Sequence, residues 1–144
     1  MSYADEVWGR RTEEAISTLG PAIVSLGIAT WKPGMIFVGT DDRILKRRTG
    51  KFPARRRPGL SGHPLFVIET LEGNIHRVCP CTSKYKPRTR YIRAGCVLKD
   101  TGRIMSRTSF ILDEFAFNIS PREKWVERLR YLGRAPKECI GKSV

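Results

Sequence analysis

The chain has 144 residues, 40 % of them apolar, and 27 Lys and Arg against 14 Asp and Glu, for a formal net charge of +13. That length fits one domain of common size, and that apolar share excludes both a disordered tail and a fold that depends on disulfides or metal for its core. The excess of positive charge favours a polyanionic partner, RNA or DNA first; an anionic membrane is disfavoured because the basic runs carry no apolar helical face.

Residues 3–19 read as a helix, with Val7, Trp8, Ala15, Ile16 and Leu19 roughly on one face and Gly20-Pro21 as its stop. The apolar stretch 15–30 has some likeness to a signal peptide, but Glu13 and Glu14 precede it and Gly20-Pro21 breaks it, so a helix end and a core-packing connector is the better reading. It is also too short to span a bilayer. "GMIFVG", residues 34–39, reads as a short buried strand. A long basic loop over 40–62 follows; from Arg43 through His63 there is no acidic residue, while Arg43, Lys46, Arg47, Arg48, Lys51, Arg55, Arg56 and Arg57 are all basic. Loops of that length in a compact domain are commonly functional or disordered.

"PLFVIET" and "NIHRVCPC" read as two strands joined across "LEG". In the second, Ile75, Arg77, Cys79 and Cys81 share one face, and His76, Val78 and Pro80 the other. "TRYIRAGCVL" reads as a further strand, and "TSFILDEFAFNI" as a strand running to Ile119. "SPREKWVERLRYLG" has the signals of a helix. Ser120 is its N-cap, Pro121 its first residue and Glu123 the partner in a capping box; Trp125, Val126, Leu129 and Leu132 form its apolar stripe, and Gly133 stops it. The expected fold is therefore mainly β with helices (α+β): a small, partly open β-barrel with an N-terminal and a C-terminal helix, residues 1–32 forming a helical extension and 33–144 the barrel domain.

"HRVCPCTSKYK", residues 76–86, invites a zinc reading through His76, Cys79 and Cys81. Zinc sites favour Cys-x2-4-Cys pairs in turns with a second pair elsewhere, whereas here one residue separates the two cysteines, and in a regular strand His76 faces away from them. No metal site and no cofactor is expected. The four cysteines read as reduced thiols, small core residues in a cytoplasmic protein rather than a disulfide framework.

Taken in order, "KPGMIFVG", "SGHPLFVIET", "RVCPCTSK", "SFILDEFAFNI" and "YLGRAPKE" resemble the motifs of the MazF/PemK family of toxins over about Pro33 to Ile140. The resemblance implies an SH3-like barrel with helices, usually a homodimer, in which a Leu-Gly-Arg strand precedes the terminal helix. It implies metal-independent, sequence-selective cleavage of single-stranded RNA that leaves a 2′,3′-cyclic phosphate, and an antitoxin protein that blocks the RNA groove. A sister family of similar fold poisons DNA gyrase without cutting nucleic acid. Thr82 matches the family's catalytic-site threonine after Pro-x, and Asp113 the acid of its Asp-Gln pair, with Glu114 in place of the Gln. His63 precedes Pro64 where the family places its catalytic Arg.

Cleavage through the 2′-hydroxyl needs a base for that proton, an acid for the leaving 5′-oxygen, and donors for the charge that builds on phosphorus. Histidine suits acid or base work near neutrality, which makes His63 a candidate; the alternative is a turn residue bonded to backbone. Thr82 can hold a phosphate oxygen or cap its own turn. Asp113 can orient a basic group, or pair with an Arg at the edge of the core. Arg55, Arg56 or Arg57 can supply the guanidinium missing at position 63 or simply contact phosphate. Ser83, Lys84, Lys86, Arg88 and Arg90 follow Thr82 along the phosphate backbone, and Tyr85 and Tyr91 can stack on unpaired bases. Two functions stay open: a toxin-like endoribonuclease, and a non-catalytic module of the same fold that grips nucleic acid or gyrase.

Overall fold

A computed structural model of the chain describes residues 30–52, 63–120 and 122–144. The helix expected over residues 3–19, and Arg55, Arg56 and Arg57 in the basic loop, lie outside them. The described residues are mainly β: one α-helix and eight strands, all paired antiparallel, in one curled half-barrel sheet. The strands are β1 (Met35–Val38), β2 (Leu65–Thr70), β3 (His76–Thr82), β4 (Arg90–Ile92), β5 (Ser109–Ile111), β6 (Phe117–Ile119), β7 (Arg130–Arg134) and β8 (Ile140–Lys142). Their order is β7-β1-β2-β3-β5-β4-β8, with β6 also on β3. Beyond β7, the Arg134 amide and carbonyl exchange hydrogen bonds with Lys99 at 3.2 and 2.8 Å, which curls the sheet back on itself.

Both faces of the sheet are buried, which is why β1 is apolar throughout. Alternate residues supply two cores. Ile36, Phe66, Cys79, Cys81, Ile92, Ile111 and Leu132 fill one side. Met35, Phe37, Leu65, Val67, Val78, Ile119 and Tyr131 pack on the other side under Trp31, Leu45 and Phe52. The alternation read from 75–82 therefore holds for Cys79 and Cys81 against Val78.

The loop expected over 40–62 contains an α-helix, α1 (Asp42–Thr49). Asp41 caps it, its side chain accepting from the Arg43 amide at 2.8 Å, and Gly50 ends it in the left-handed region at φ 75°. Leu45 is its one buried residue, worth about 1.5–3 kcal/mol of apolar burial. The basic side chains around it do not need to leave water.

The C-terminal helix expected over 120–133 is absent. Half of its capping box forms, since the Ser120 amide donates to Glu123 at 2.8 Å, but it opens only the 3-10 segment Lys124–Arg128. Leu129 then turns extended, and Arg130–Arg134 pairs with β1, Phe37 opposite Tyr131 and Ile36 opposite Gly133. Pairing along the open edge of β1 outweighs helical propensity, and it buries Tyr131 and Leu132 on opposite faces. Gly133 is no helix stop. It sits at φ 141° beside a register shift, where a Cβ would lie 2.6 Å from Leu98 Cβ. Beyond β7 the chain makes a 3-10 turn, Lys137–Cys139, and then β8, with no terminal helix among the described residues.

"TSFILDEFAFNI" follows β3 as expected but is broken. Cys81 lies opposite Ile111 and His76 opposite Ile119, so five steps along β3 face eight along the partner. The three extra residues form the turn Asp113–Phe115, which swings its side chains off the ladder.

The cysteines are not four thiols. Cys96 and Cys139, both buried, form a disulfide across 43 residues with Cα atoms 5.8 Å apart, while Cys79 and Cys81 are free. The two strand ends meet because the Arg93 amide donates to the Cys139 carbonyl at 3.0 Å. Among the described residues no helix is long and apolar enough to cross a membrane.

Candidate functional site

Two of the three catalytic candidates, His63 and Thr82, flank the same end of the β2–β3 pairing. Leu65 pairs with Pro80, and the Cys81 amide donates to the Pro64 carbonyl at 2.8 Å. His63 precedes Pro64 and Thr82 follows Cys81, so both lie just past this end of the β2–β3 pairing. From Thr82 a row of paired residues continues to Phe110 on β5 and Tyr91 on β4.

His63 is held on three sides. Its Nδ1 lies 2.9 Å from Asp42 Oδ1, and its backbone amide donates to the same oxygen at 3.1 Å. The edge of Phe52 meets the ring with centroids 5.0 Å apart at 84°. The side chain keeps about a third of its surface in solvent, 34 %, so one side of the imidazole stays open. Thr82 Oγ1 accepts from the Lys84 amide at 3.2 Å, which tightens the turn after β3. That bond uses a lone pair and leaves the hydroxyl proton to donate outward.

Asp113 is paired with Arg90. Its carboxylate takes both hydrogen bonds of the Arg90 fork, Nε to Oδ2 at 2.9 Å and Nη2 to Oδ1 at 2.6 Å. The alternative of a core-edge Arg partner is the one found. The hydrogen bond to Asp113 raises the Arg90 pKa, and the guanidinium also lies 5.6 Å from the Phe66 ring centroid. Arg90, read as a phosphate contact, is thus engaged within the protein. The second residue after Asp113 matters as well: Phe115 meets Phe52 edge-on at 5.2 Å, and Lys51 lies over its ring at 5.7 Å.

The basic runs divide by role. Arg48 is structural, donating to Glu123 and to the Asn118 carbonyl and lying over Phe117 at 5.6 Å. Arg43 is paired with Asp41. Lys46 and Arg47 on α1, and Lys84 and Arg88 after β3, are exposed, with Ser83 and Lys86 half-buried beside them. Tyr85, 62 % exposed, stands edge-on to Phe110 at 5.5 Å, next to Thr82 in the sheet. Its hydroxyl donates to the Val144 carbonyl at 3.1 Å, and the Ser143 amide donates to Thr89, so residues 143–144 clip the basic turn in place.

The trio weighed as zinc ligands is split. Cys79 and Cys81 sit in the core with Ile36 and Phe66, where burial pushes the Cys79 thiol pKa well up and that of Cys81 to about 12. His76 is buried on the other side, its ring 5.4 Å from Trp31 and its Nδ1 3.0 Å from Thr70 Oγ1. Among the described residues no group of three or more His, Cys, Asp or Glu is placed to hold a metal ion.

Asp42 and Phe52 are site neighbours that the sequence reading did not single out. Asp41 and Gly50 bracket α1 and would have put Asp42 at a helix start. Nothing local ties it to His63, 21 residues on. No protein-family model, curated protein or solved structure matches this chain.

Proposed function

We propose that the chain is an SH3-like barrel of the MazF/PemK kind, a toxin-like endoribonuclease that cuts single-stranded RNA through its 2′-hydroxyl without metal or cofactor. The observation that carries the reading is that His63 and Thr82 both flank one end of the β2–β3 pairing, with an exposed tyrosine and the basic turn 83–88 following Thr82. In this reading the 2′-oxygen attacks phosphorus as His63 takes its proton. The bond from phosphorus to the 5′-oxygen breaks, the 5′-oxygen takes a proton from water, and a 2′,3′-cyclic phosphate and a 5′-hydroxyl result. The Thr82 hydroxyl donates to a non-bridging oxygen. Lys84, Lys86 and Arg88 hold phosphates, and Tyr85 stacks on an unpaired base, which selects single strands. A homodimer, an antitoxin protein that covers this face, and a cytoplasmic location belong to the same reading.

One observation favours the second reading, a module that grips nucleic acid without cutting it. Arg90, the neighbour of Tyr91 on β4, is already taken by Asp113. Incubation of the pure protein with a long RNA in EDTA separates the two: discrete fragments ending in cyclic phosphate support cleavage, and intact but retarded RNA supports the binding module.

A further inference from the structure

Resting on the cleavage reading, we propose that Asp42 is the positioning residue that fixes His63 in its Nδ1–H tautomer and presents Nε2 to the RNA as the general base. Asp42 stands at the first turn of α1, on the far side of the long basic loop from His63.

A single oxygen, Asp42 Oδ1, faces both the His63 amide at 3.1 Å and its Nδ1 at 2.9 Å. The amide can only donate. A carboxylate can only accept, so Nδ1 carries its proton toward Asp42. In a neutral ring Nε2 is then the atom with a lone pair. Two bonds to one oxygen fix the residue at its backbone and at its ring, and the Phe52 edge at 84° limits rotation about the remaining torsion. The open third of the side chain leaves a way for a 2′-hydroxyl to reach the ring. When Nε2 takes the 2′-proton the ring becomes an imidazolium, and the carboxylate opposite Nδ1 stabilises that charge as it forms.

The arrangement also explains why the helix lies within the basic loop. Asp41 caps α1, and Asp42, one residue on, reaches His63. The helix therefore places the base's partner and the exposed cations Lys46 and Arg47 on one short rigid element.

The test is nitrogen NMR of the full chain with ¹⁵N-labelled histidine, the His63 signals assigned by comparison with His63→Ala. With the ring neutral, His63 is expected to show a protonated Nδ1 and a bare Nε2. A protonated Nε2 overturns the proposal whether or not the protein cuts RNA. Asp42→Asn keeps the shape and removes the charge. In single-turnover cleavage at saturating enzyme it should slow the chemical step by about 10-fold or more, with affinity for an uncleavable 2′-deoxy analogue unchanged. Cleavage by Asp42→Asn at the wild-type rate overturns the positioning role. If wild type itself leaves RNA intact, the cleavage reading falls, and the tautomer alone decides the Asp42–His63 pairing.

Discussion

Arg90 and Asp113 meet side by side, Nε and Nη2 of the guanidinium each donating to one oxygen of the carboxylate. Both are about half exposed, so the pair is worth no more than about 1 kcal/mol to the fold. Its consequence is electrostatic: it cancels a cation next to the basic turn. Asp113→Asn should leave the fold standing and free that guanidinium. RNA affinity at low salt should rise a few-fold, measured by fluorescence titration. Weaker binding by Asp113→Asn would contradict this placement of the pair.

Gly133 should tolerate no side chain. A Cβ there would lie 2.6 Å from Leu98 Cβ and 2.7 Å from Thr101 Oγ1, at a φ of 141° that side chains disfavour. Gly133→Ala should cost roughly 1–3 kcal/mol or more from overpacking, read as a lower urea midpoint at unchanged slope. A helix-ending glycine on the surface would cost far less, so the size of the loss separates the strand from the helix first expected at 120–133.

The cysteines should count as two. Without reductant, the unfolded chain should expose two reactive thiols, Cys79 and Cys81, and the folded chain none at pH 8. Reduction before unfolding should raise the count to four. Burial lifts the Cys81 thiol from 9.0 to about 12, so the unfolded chain loses that proton first as pH rises. Its contribution to stability is whole below about pH 9 and is lost between about 9 and 12. A urea midpoint that climbs across that window would contradict the burial.

Binding to single-stranded RNA should weaken steeply with salt. If about six phosphates are neutralised, log K against log salt should fall with a slope of roughly −4. A slope near zero would show that the basic surface around α1 and residues 84–88 is not the binding face.

What the sequence made legible was local. Met35–Val38, Leu65–Thr70 and His76–Thr82 announce themselves by apolar content and turn residues at their ends, and all three are strands. The run 120–134 misled because a capping box and an apolar stripe are true local signals, while the pairing that decides its state lies about a hundred residues away on β1. The same holds for the Cys96–Cys139 bond and for Asp42 beside His63. By contrast α1 could have been read, since Asp41 and Gly50 are ordinary helix punctuation; the density of arginine hid it. At the candidate site, Thr82 and His63 stood out in the sequence as residue types able to do such chemistry, and the Leu65–Pro80 register puts both near one end of the β2–β3 pairing. Asp113 could be read only as a choice of partners, and the three-residue turn settled it on Arg90.

The central claim is that His63 is the group that moves the proton. Its most direct test is single-turnover cleavage of a long single-stranded RNA in EDTA by wild type and His63→Ala at saturating enzyme. Binding is followed alongside on the 2′-deoxy analogue. The account expects wild type to cut, His63→Ala to cut about 10²- to 10⁴-fold more slowly, and the two to bind alike. Cleavage by His63→Ala at the wild-type rate, or RNA left intact by wild type, would contradict it.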